Sequence, residues 1–324
     1  MSTALPGFDA EFQSLDHYIR VITDRIWEGR RLDDIRRYYS AGCAVETPGG
    51  VSIGLQPVID GTRATLVAFP DRRLLAEDVI VSGDAERGFL SSHRIFSPMT
   101  HAGPGVFGAP TGASLAVRTI ADCVCIGNRI VHEWLVRDQA AIARQTGRHE
   151  RELAQAWLNE RGAFAKATMP PPPAPYMSFI ASDDTAQRYA QGYRALWLQG
   201  DAAAFEKTHS AQAIVALPAA QAAIDAAALR TFWSGMRGAL HAESFTVEHL
   251  VANHRPERAT AIAMRWRAKT QHRGGGRYGE ATGRAVEVFG ISHAEVEDGR
   301  VVREWILIDD VALWMQMLQP QKAD

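Results

Sequence analysis

Phe12, Leu15, Ile19, Ile22 and Ile26 recur every three or four residues, a spacing that draws one apolar stripe along a helix. A second short helix is predicted from Leu32 to Tyr39. Pro57, tolerated in a first turn, opens a third that runs to about Ala68. The pattern then changes to alternation. Leu74 to Ser82, Arg87 to Met99, Ser114 to Ile126 and Arg129 to Arg137 are rich in Val, Ile, Thr and aromatic residues and read as strands. Gly83-Asp84 and Gly127-Asn128 mark hairpin turns between them. Helices first and long antiparallel strands afterwards predict an α+β architecture, a curved sheet wrapped around its helices with room for a pocket between them.

The same order then returns. Residues 109–138 read APTGASLAVRTIADCVCIGNRIVHEWLVRD, and 280–309 read EATGRAVEVFGISHAEVEDGRVVREWILID. At a constant offset of 171, Thr111 meets Thr282, Gly112 meets Gly283, Glu133 meets Glu304, Trp134 meets Trp305 and Asp138 meets Asp309. His101 and His272, Arg94 and Arg265, Glu77 and Glu248, Tyr18 and Tyr189, and Gln145 and Gln316 keep the register. A repeat this long is a whole domain rather than a solenoid unit. In the second copy Tyr189, Tyr193, Leu196 and Trp197 begin the pattern, a helix is predicted near Ala226 to Met236, and Asp298-Gly299 marks a tight hairpin. The predicted division is 1–147, a joining segment 148–178, and 179–324. The joining segment combines a helix from Arg148 to Lys166 with the polyproline run Met169 to Pro175.

Composition is that of an ordinary folded chain, 46% hydrophobic and 22% charged, with a net charge of −2. No basic run suggests nucleic acid, and no apolar run approaches a bilayer-spanning length. The opening MSTALPGFDAEF has no basic segment followed by an apolar one, so export is not expected. Cys43, Cys123 and Cys125 are an odd set; the last two alternate on one strand face and read as apolar fillers, consistent with a reducing cytoplasm.

The final strand with its tail, GNRIVHEWLVRDQAAIARQTG, together with AFPDRRLLAEDVIVSGD, HAGPGVFGAPTG and the helix-first layout, resembles the SnoaL-like polyketide cyclases of the NTF2-like superfamily. Both copies carry the family's E-x-W-x-x-x-D strand, as Glu133, Trp134 and Asp138 and as Glu304, Trp305 and Asp309. The resemblance implies two NTF2-like cones packed as an intrachain pseudo-dimer; homo-oligomers of the two-domain chain are compatible with it. It also implies a cofactor-independent enzyme in which Asp138 is the general base. The second copy lacks the Phe-Pro-Asp segment that ends in Asp71, which predicts that part of its chemistry is lost.

Read from the residues alone, Asp138 shares a strand face with Trp134 and Val136. It serves either as a base at an apolar pocket or as an N-cap for the helix that begins at Gln139. Asp309 carries the same two readings, and Asp310 beside it favours the cap. His93 shares a face with Phe89, Ser91 and Ile95; the second copy has Thr260, Ile262, Met264 and Trp266 there, so that face is buried. His93 is then a proton donor or a core histidine. His101 and His272, just after this strand, either border a pocket mouth and polarise a substrate carbonyl or are solvated loop residues. Trp134, Trp305, Phe69, Trp27, Trp197 and Trp266 could stack on a flat ligand, although aromatic residues mostly build cores. Arg94, Arg265, Glu77 and Glu248 predict charge pairs on the outer sheet face.

Gly103 to Gly108 and Gly274 to Gly279 both fit G-x-G-x-x-G, but neither opens a helix within a βαβ unit, so dinucleotide binding is not expected. Cys123-x-Cys125 has no partners at zinc spacing, and no metal is expected. The function predicted is Asp-mediated proton abstraction and ring closure on a small carbonyl-containing, polyketide-like metabolite. Non-catalytic binding of a small molecule, or hydrolysis or dehydration of a small apolar metabolite, are the alternatives.

Overall fold

The computed structural model describes residues 5–162 and 168–319, and the chain resolves into two compact units. In the first, α1 (Leu15–Thr23) is capped by Ser14, whose hydroxyl accepts from His17 N–H, and it runs on as a π-helical turn, Asp24–Glu28. A 3₁₀ turn (Leu32–Asp34) leads into α2 (Ile35–Tyr38), β1 (Tyr39–Thr47), β2 (Gly50–Ile53) and α3 (Leu55–Ala68). The long strands β3 (Leu75–Asp84), β4 (Gly88–Thr100), β5 (Ser114–Ile126) and β6 (Arg129–Arg137) follow. They form an open six-stranded sheet in the order β2-β1-β6-β5-β4-β3. Every neighbouring pair is antiparallel except β1 with β6, so the sheet is mixed rather than wholly antiparallel. The parallel pair arises because α3 and the three long strands β3, β4 and β5 separate β1 from β6 in sequence, room enough for a crossover.

The predicted apolar stripe is the inner face of α1. Phe12, Leu15, Ile19, Ile22 and Ile26 join Tyr18, Tyr38, Cys43, Val79, Ala121, Cys123 and Cys125 in one core. The three cysteines are free thiols, buried as fillers. Burial pushes the Cys123 thiol well up, which keeps it protonated.

After β6 come α4 (Gln139–Gln145) and α5 (Glu150–Arg161). Gln145 clamps the start of β5, accepting from Ala116 N–H at 3.0 Å and donating to Ala116 O at 2.9 Å. The helix predicted from Arg148 to Lys166 ends at Arg161, and residues 163–167 lie outside the described residues. The polyproline run 169–175 is neither helix nor strand. Asp138–Ala140 and α5 group with the second unit rather than with a separate joining segment. There α5 packs on α9 (defined below), and Arg151 lies over the Trp314 ring at 5.3 Å.

The second unit repeats the plan with α6 (Asp184–Arg194), a π-helical turn (Ala195–Gln199), α7 (Ala202–Lys207), β7 (His209–Leu217), β8 (Gln221–Ala223) and α8 (Ala226–Ala239). Then come β9 (Leu240–Asn253), β10 (Thr260–His272), β11 (Ala285–Glu297), β12 (Arg300–Ile308) and α9 (Asp310–Leu318). The sheet order is β8-β7-β12-β11-β10-β9, the same topology. Gln316 clamps Glu287 as Gln145 clamps Ala116, with bonds of 2.8 and 3.0 Å. The outer-face charge pairs form in both units: Arg94 to Glu77 at 3.1 Å and Arg265 to Glu248 at 3.2 Å. No described helix is long and apolar enough to cross a membrane.

Candidate functional site

Strand register determines which side chains look inward at the helices of the first unit. Ser91 pairs with Cys123 and Cys123 with Glu133; His93 pairs with Ala121 and Ala121 with Leu135; Ile95 pairs with Thr119 and Thr119 with Arg137. Ala121 and Cys123 belong to the helix-facing core, so all three rows face inward by the two-residue period. This face therefore carries Ser91, His93, Thr119, Glu133 and Arg137 among apolar neighbours.

Glu133 is buried, and its principal hydrogen-bond partner is the Tyr39 phenol. Burial pushes its carboxyl up to about 7, against the opposing pull of Tyr39 and Arg137. Burial also raises the Tyr39 phenol, so Tyr39 stays a donor. His93 is likewise buried, and burial, then Arg20, pulls it down to about 3, so the ring is neutral. Among the described residues its Nε2 has no hydrogen-bond partner, nor has the Thr119 hydroxyl.

The structure separates the other residues singled out from the sequence. Ser92 pairs with Asp122 and Asp122 with Trp134, which puts Trp134 on the outer face, its ring 4.3 Å from that of His132. Val136 shares that face, so the strand is not one that brings Asp138 and Trp134 together with His93. The Asp138 carboxylate instead accepts from Ala219 N–H at 3.0 Å and Ala220 N–H at 3.2 Å, within the second unit. Asp309 caps α9, accepting from Val311 and Ala312 N–H. Burial raises its carboxyl to about 8, opposed by those N–H groups and reinforced by Asp138. Trp305 pairs with His293 on the corresponding outer face of the second sheet.

His101 and His272 are buried, and neither is a solvated loop residue. His101 Nδ1 meets the Thr111 hydroxyl at 3.1 Å, and Gly112 N–H donates to His101 O; His272 meets Thr282 at 3.0 Å, and Gly283 N–H donates to His272 O. Gly112 and Gly283 stand at φ 71° and 66°, where glycine is unstrained. The repeated His, Thr and Gly thus form one clasp across the turn between the fourth and fifth strands of each sheet. Phe69 packs against His101 with ring centroids 5.4 Å apart, and Trp27 is half-buried on the π-helical turn beside the core. Asp71 straps its segment to β4, accepting from Thr100 N–H and hydroxyl, each at 2.7 Å.

The second unit has larger aromatic side chains at the corresponding positions. Trp266 stands where the first unit has Ile95, Trp233 where it has Thr62, and Trp197 where it has Ile26. All three are fully buried, and the Trp197 ring lies 5.7 Å from that of Trp233 and 5.6 Å from that of Trp266. Trp266 lies over Gly290, whose counterpart is Thr119, and a Cβ there would meet Cζ2 of the indole at 2.3 Å. Glu304, the counterpart of Glu133, accepts from the Tyr189 and Tyr193 hydroxyls and lies 2.9 Å from His209 Nε2. A recess of about 350 Å³ opens beside Arg188, Gly192 and Lys207, with neither carboxylate nor imidazole in its lining.

In the sequence Glu133 stands out only as part of the strand motif, and no motif marks Thr119 and Arg137. The signal was present in the alternation itself: Glu133, Leu135 and Arg137 take the face opposite Trp134 and Val136.

The family model for SnoaL-like polyketide cyclases matches residues 18–146 and again 187–317, and the chain belongs to that family as a tandem pair of NTF2-like α+β domains. Among solved structures it is similar to IdmH, a putative polyketide cyclase from Streptomyces antibioticus: 20% identity, 40% of this chain and 96% of that one, TM-score 0.35. It is also similar to a SnoaL-like polyketide cyclase from Agrobacterium tumefaciens: 21% identity, 42% and 100% coverage, TM-score 0.35. A third is a putative SnoaL-like polyketide cyclase from Jannaschia: 14% identity, 44% and 99% coverage, TM-score 0.36. No curated protein matches the chain.

Proposed function

We propose that the first unit is a cofactor-independent enzyme that removes a proton from a carbon flanked by carbonyls of a polyketide-like metabolite and guides its ring closure. Family membership supports cyclase-type chemistry. The observation that carries the assignment is Glu133: a buried carboxyl raised to about 7, on the inner face that also carries His93, Thr119 and Arg137. A base poised near neutral pH suits this step. Glu133 takes the proton and leaves an enolate, and the enolate carbon attacks an electrophilic carbonyl of the same chain. A carbon–carbon bond forms, and the new alkoxide recovers the proton from Glu133. Neutral His93 offers its unpartnered Nε2 to the enolate oxygen in the tautomer that carries hydrogen there. Asp138, the base implied by the resemblance, is given a structural part in this reading, because backbone N–H groups already engage both its oxygens.

The test is deuterium exchange in heavy water with a panel of β-dicarbonyl and aromatic polyketide-like compounds. Exchange is expected in the Asp138→Asn variant and lost in Glu133→Gln. The reverse would return the base to Asp138. No exchange above buffer for any compound would favour a binding module without turnover.

A further inference from the structure

Arg72 is 5% exposed, and among the described residues no carboxylate pairs with its guanidinium. The nearby Glu28 is engaged elsewhere: it accepts from Leu74 N–H at 2.6 Å and from Arg73 Nε at 3.3 Å. The charges that bear on Arg72 are mostly of its own sign. Arg137 comes first, then Arg30, which donates to Pro70 O at 2.9 Å and Arg72 O at 3.1 Å and so fixes this backbone. Burial and these two cations pull Arg72 well down from its usual range.

Two buried hydroxyls complete the cluster. Ser97 and Thr119 lie on the inner face in adjacent rows, Ser97 opposite Val117 and Thr119 opposite Arg137, and neither hydroxyl has a hydrogen-bond partner among the described residues. Arg73 N–H donates to Pro98 O at 3.2 Å, which ties the arginine segment to the end of the strand that carries Ser97. The second copy has Glu243, Ala268, Gly290 and Ile308 at the positions of Arg72, Ser97, Thr119 and Arg137. None of the four groups survives there, so the fold itself does not require them.

A buried cation without a counter-ion is strongly unfavourable, and a like-charged neighbour makes it worse. Such a group persists where something outside the chain supplies the missing anion. Arginine presents a planar fork suited to a carboxylate. We propose that Arg72 and Arg137, with the Ser97 and Thr119 hydroxyls, hold a carboxylate of the substrate, distinct from its reacting carbonyl. The substrate class is then a carbonyl-containing acid rather than an ester or a neutral polyketide. This names the ligand of the inner face on which Glu133 is assigned as base and rests on that reading.

The experiment measures equilibrium binding by titration calorimetry with two probes, 2-acetoacetylbenzoate and its methyl ester. The acid is expected to bind at least about tenfold more tightly than the ester, the scale of one charge-assisted pair. The Arg72→Met variant should lose that preference and keep its affinity for the ester, whereas Arg72→Lys should keep part of it. Free of ligand, Arg72→Met should melt higher than the wild type, because it removes an uncompensated charge; a structural ion pair would give the opposite shift. Arg137→Met provides the same comparison should Arg72→Met not fold. Equal or absent binding of the acid, or a preference that survives both Met variants, would overturn the proposal. Preferential binding of the acid with no deuterium exchange would sustain it while overturning proton abstraction by Glu133.

Discussion

Asp138 and Ala219 are held together by a hydrogen bond of 3.0 Å from backbone N–H to carboxylate, and Ala220 adds a second of 3.2 Å to the other oxygen. Both alanines adopt left-handed backbone, φ 64° and 56°, so successive N–H groups converge on one anion. Asp138 and Ala219 are buried, at 4% and 3% exposure. Asp138→Ala leaves two N–H groups without this partner and should lower stability by about 2–4 kcal/mol in denaturant titration. Asp138→Asn keeps one acceptor oxygen and should lose less. An Asp138→Ala protein as stable as the wild type would remove this role.

With Glu133 as the proposed base, activity and stability should respond to pH in opposite senses. The ionised base is the active form, so kcat/KM for exchange should rise with pH and level off above about 7. The native state favours the protonated carboxyl. Its contribution to stability is therefore fully present below the unfolded carboxylate value and lost as pH rises through about 7. Glu133→Gln should flatten this decline in a series of melting temperatures. A rate profile flat from acid to alkaline pH would remove Glu133 as the base.

Asp309 offers the same kind of test in the second unit without catalysis. Its carboxyl is raised to about 8, so wild-type stability should fall as pH climbs from the unfolded carboxylate range through that value. Asp309→Asn keeps an acceptor for the cap and should remove this fall, while Asp309→Ala should lose about 1 kcal/mol at all pH values. Melting temperatures across the range distinguish the two.

Trp266 occupies space that only a glycine at position 290 leaves free, because a Cβ would lie 2.3 Å from the indole. Gly290→Ala should therefore destabilise by about 1–3 kcal/mol through overpacking. Combining it with Trp266→Phe should recover part of the loss. Additive losses in the double variant would show that the two positions do not share the strain.

Much of this architecture can be read from the chain. The constant offset identifies the duplicated unit. It also marks Gln145 with Gln316 and His101 with His272, whose partners turn out to be strand backbone 29 residues away and a threonine 10 residues on. Alternation placed Phe89, Ser91, His93 and Ile95 on a buried face, as found. It could not say which face the helices cover, because that depends on pairing with strands far off in sequence; Trp134 and Glu133 exchange places on this point. Nor could it give Asp138 its partners, which lie 81 and 82 residues away. Arg72 reads in sequence as one more solvated arginine before a strand, and only burial sets it apart.

Trp197, Trp233 and Trp266 give the second unit an optical signature. Three indoles joined through Trp197 and wholly shielded from water should emit at short wavelength and share excitation energy, while Trp27 and Trp134 report on the first unit. Fluorescence should therefore follow the loss of the second unit's interior separately from events around Glu133. In a chain made of two copies of one fold, the tryptophan-packed copy then serves as a built-in reference against which changes in the other are read.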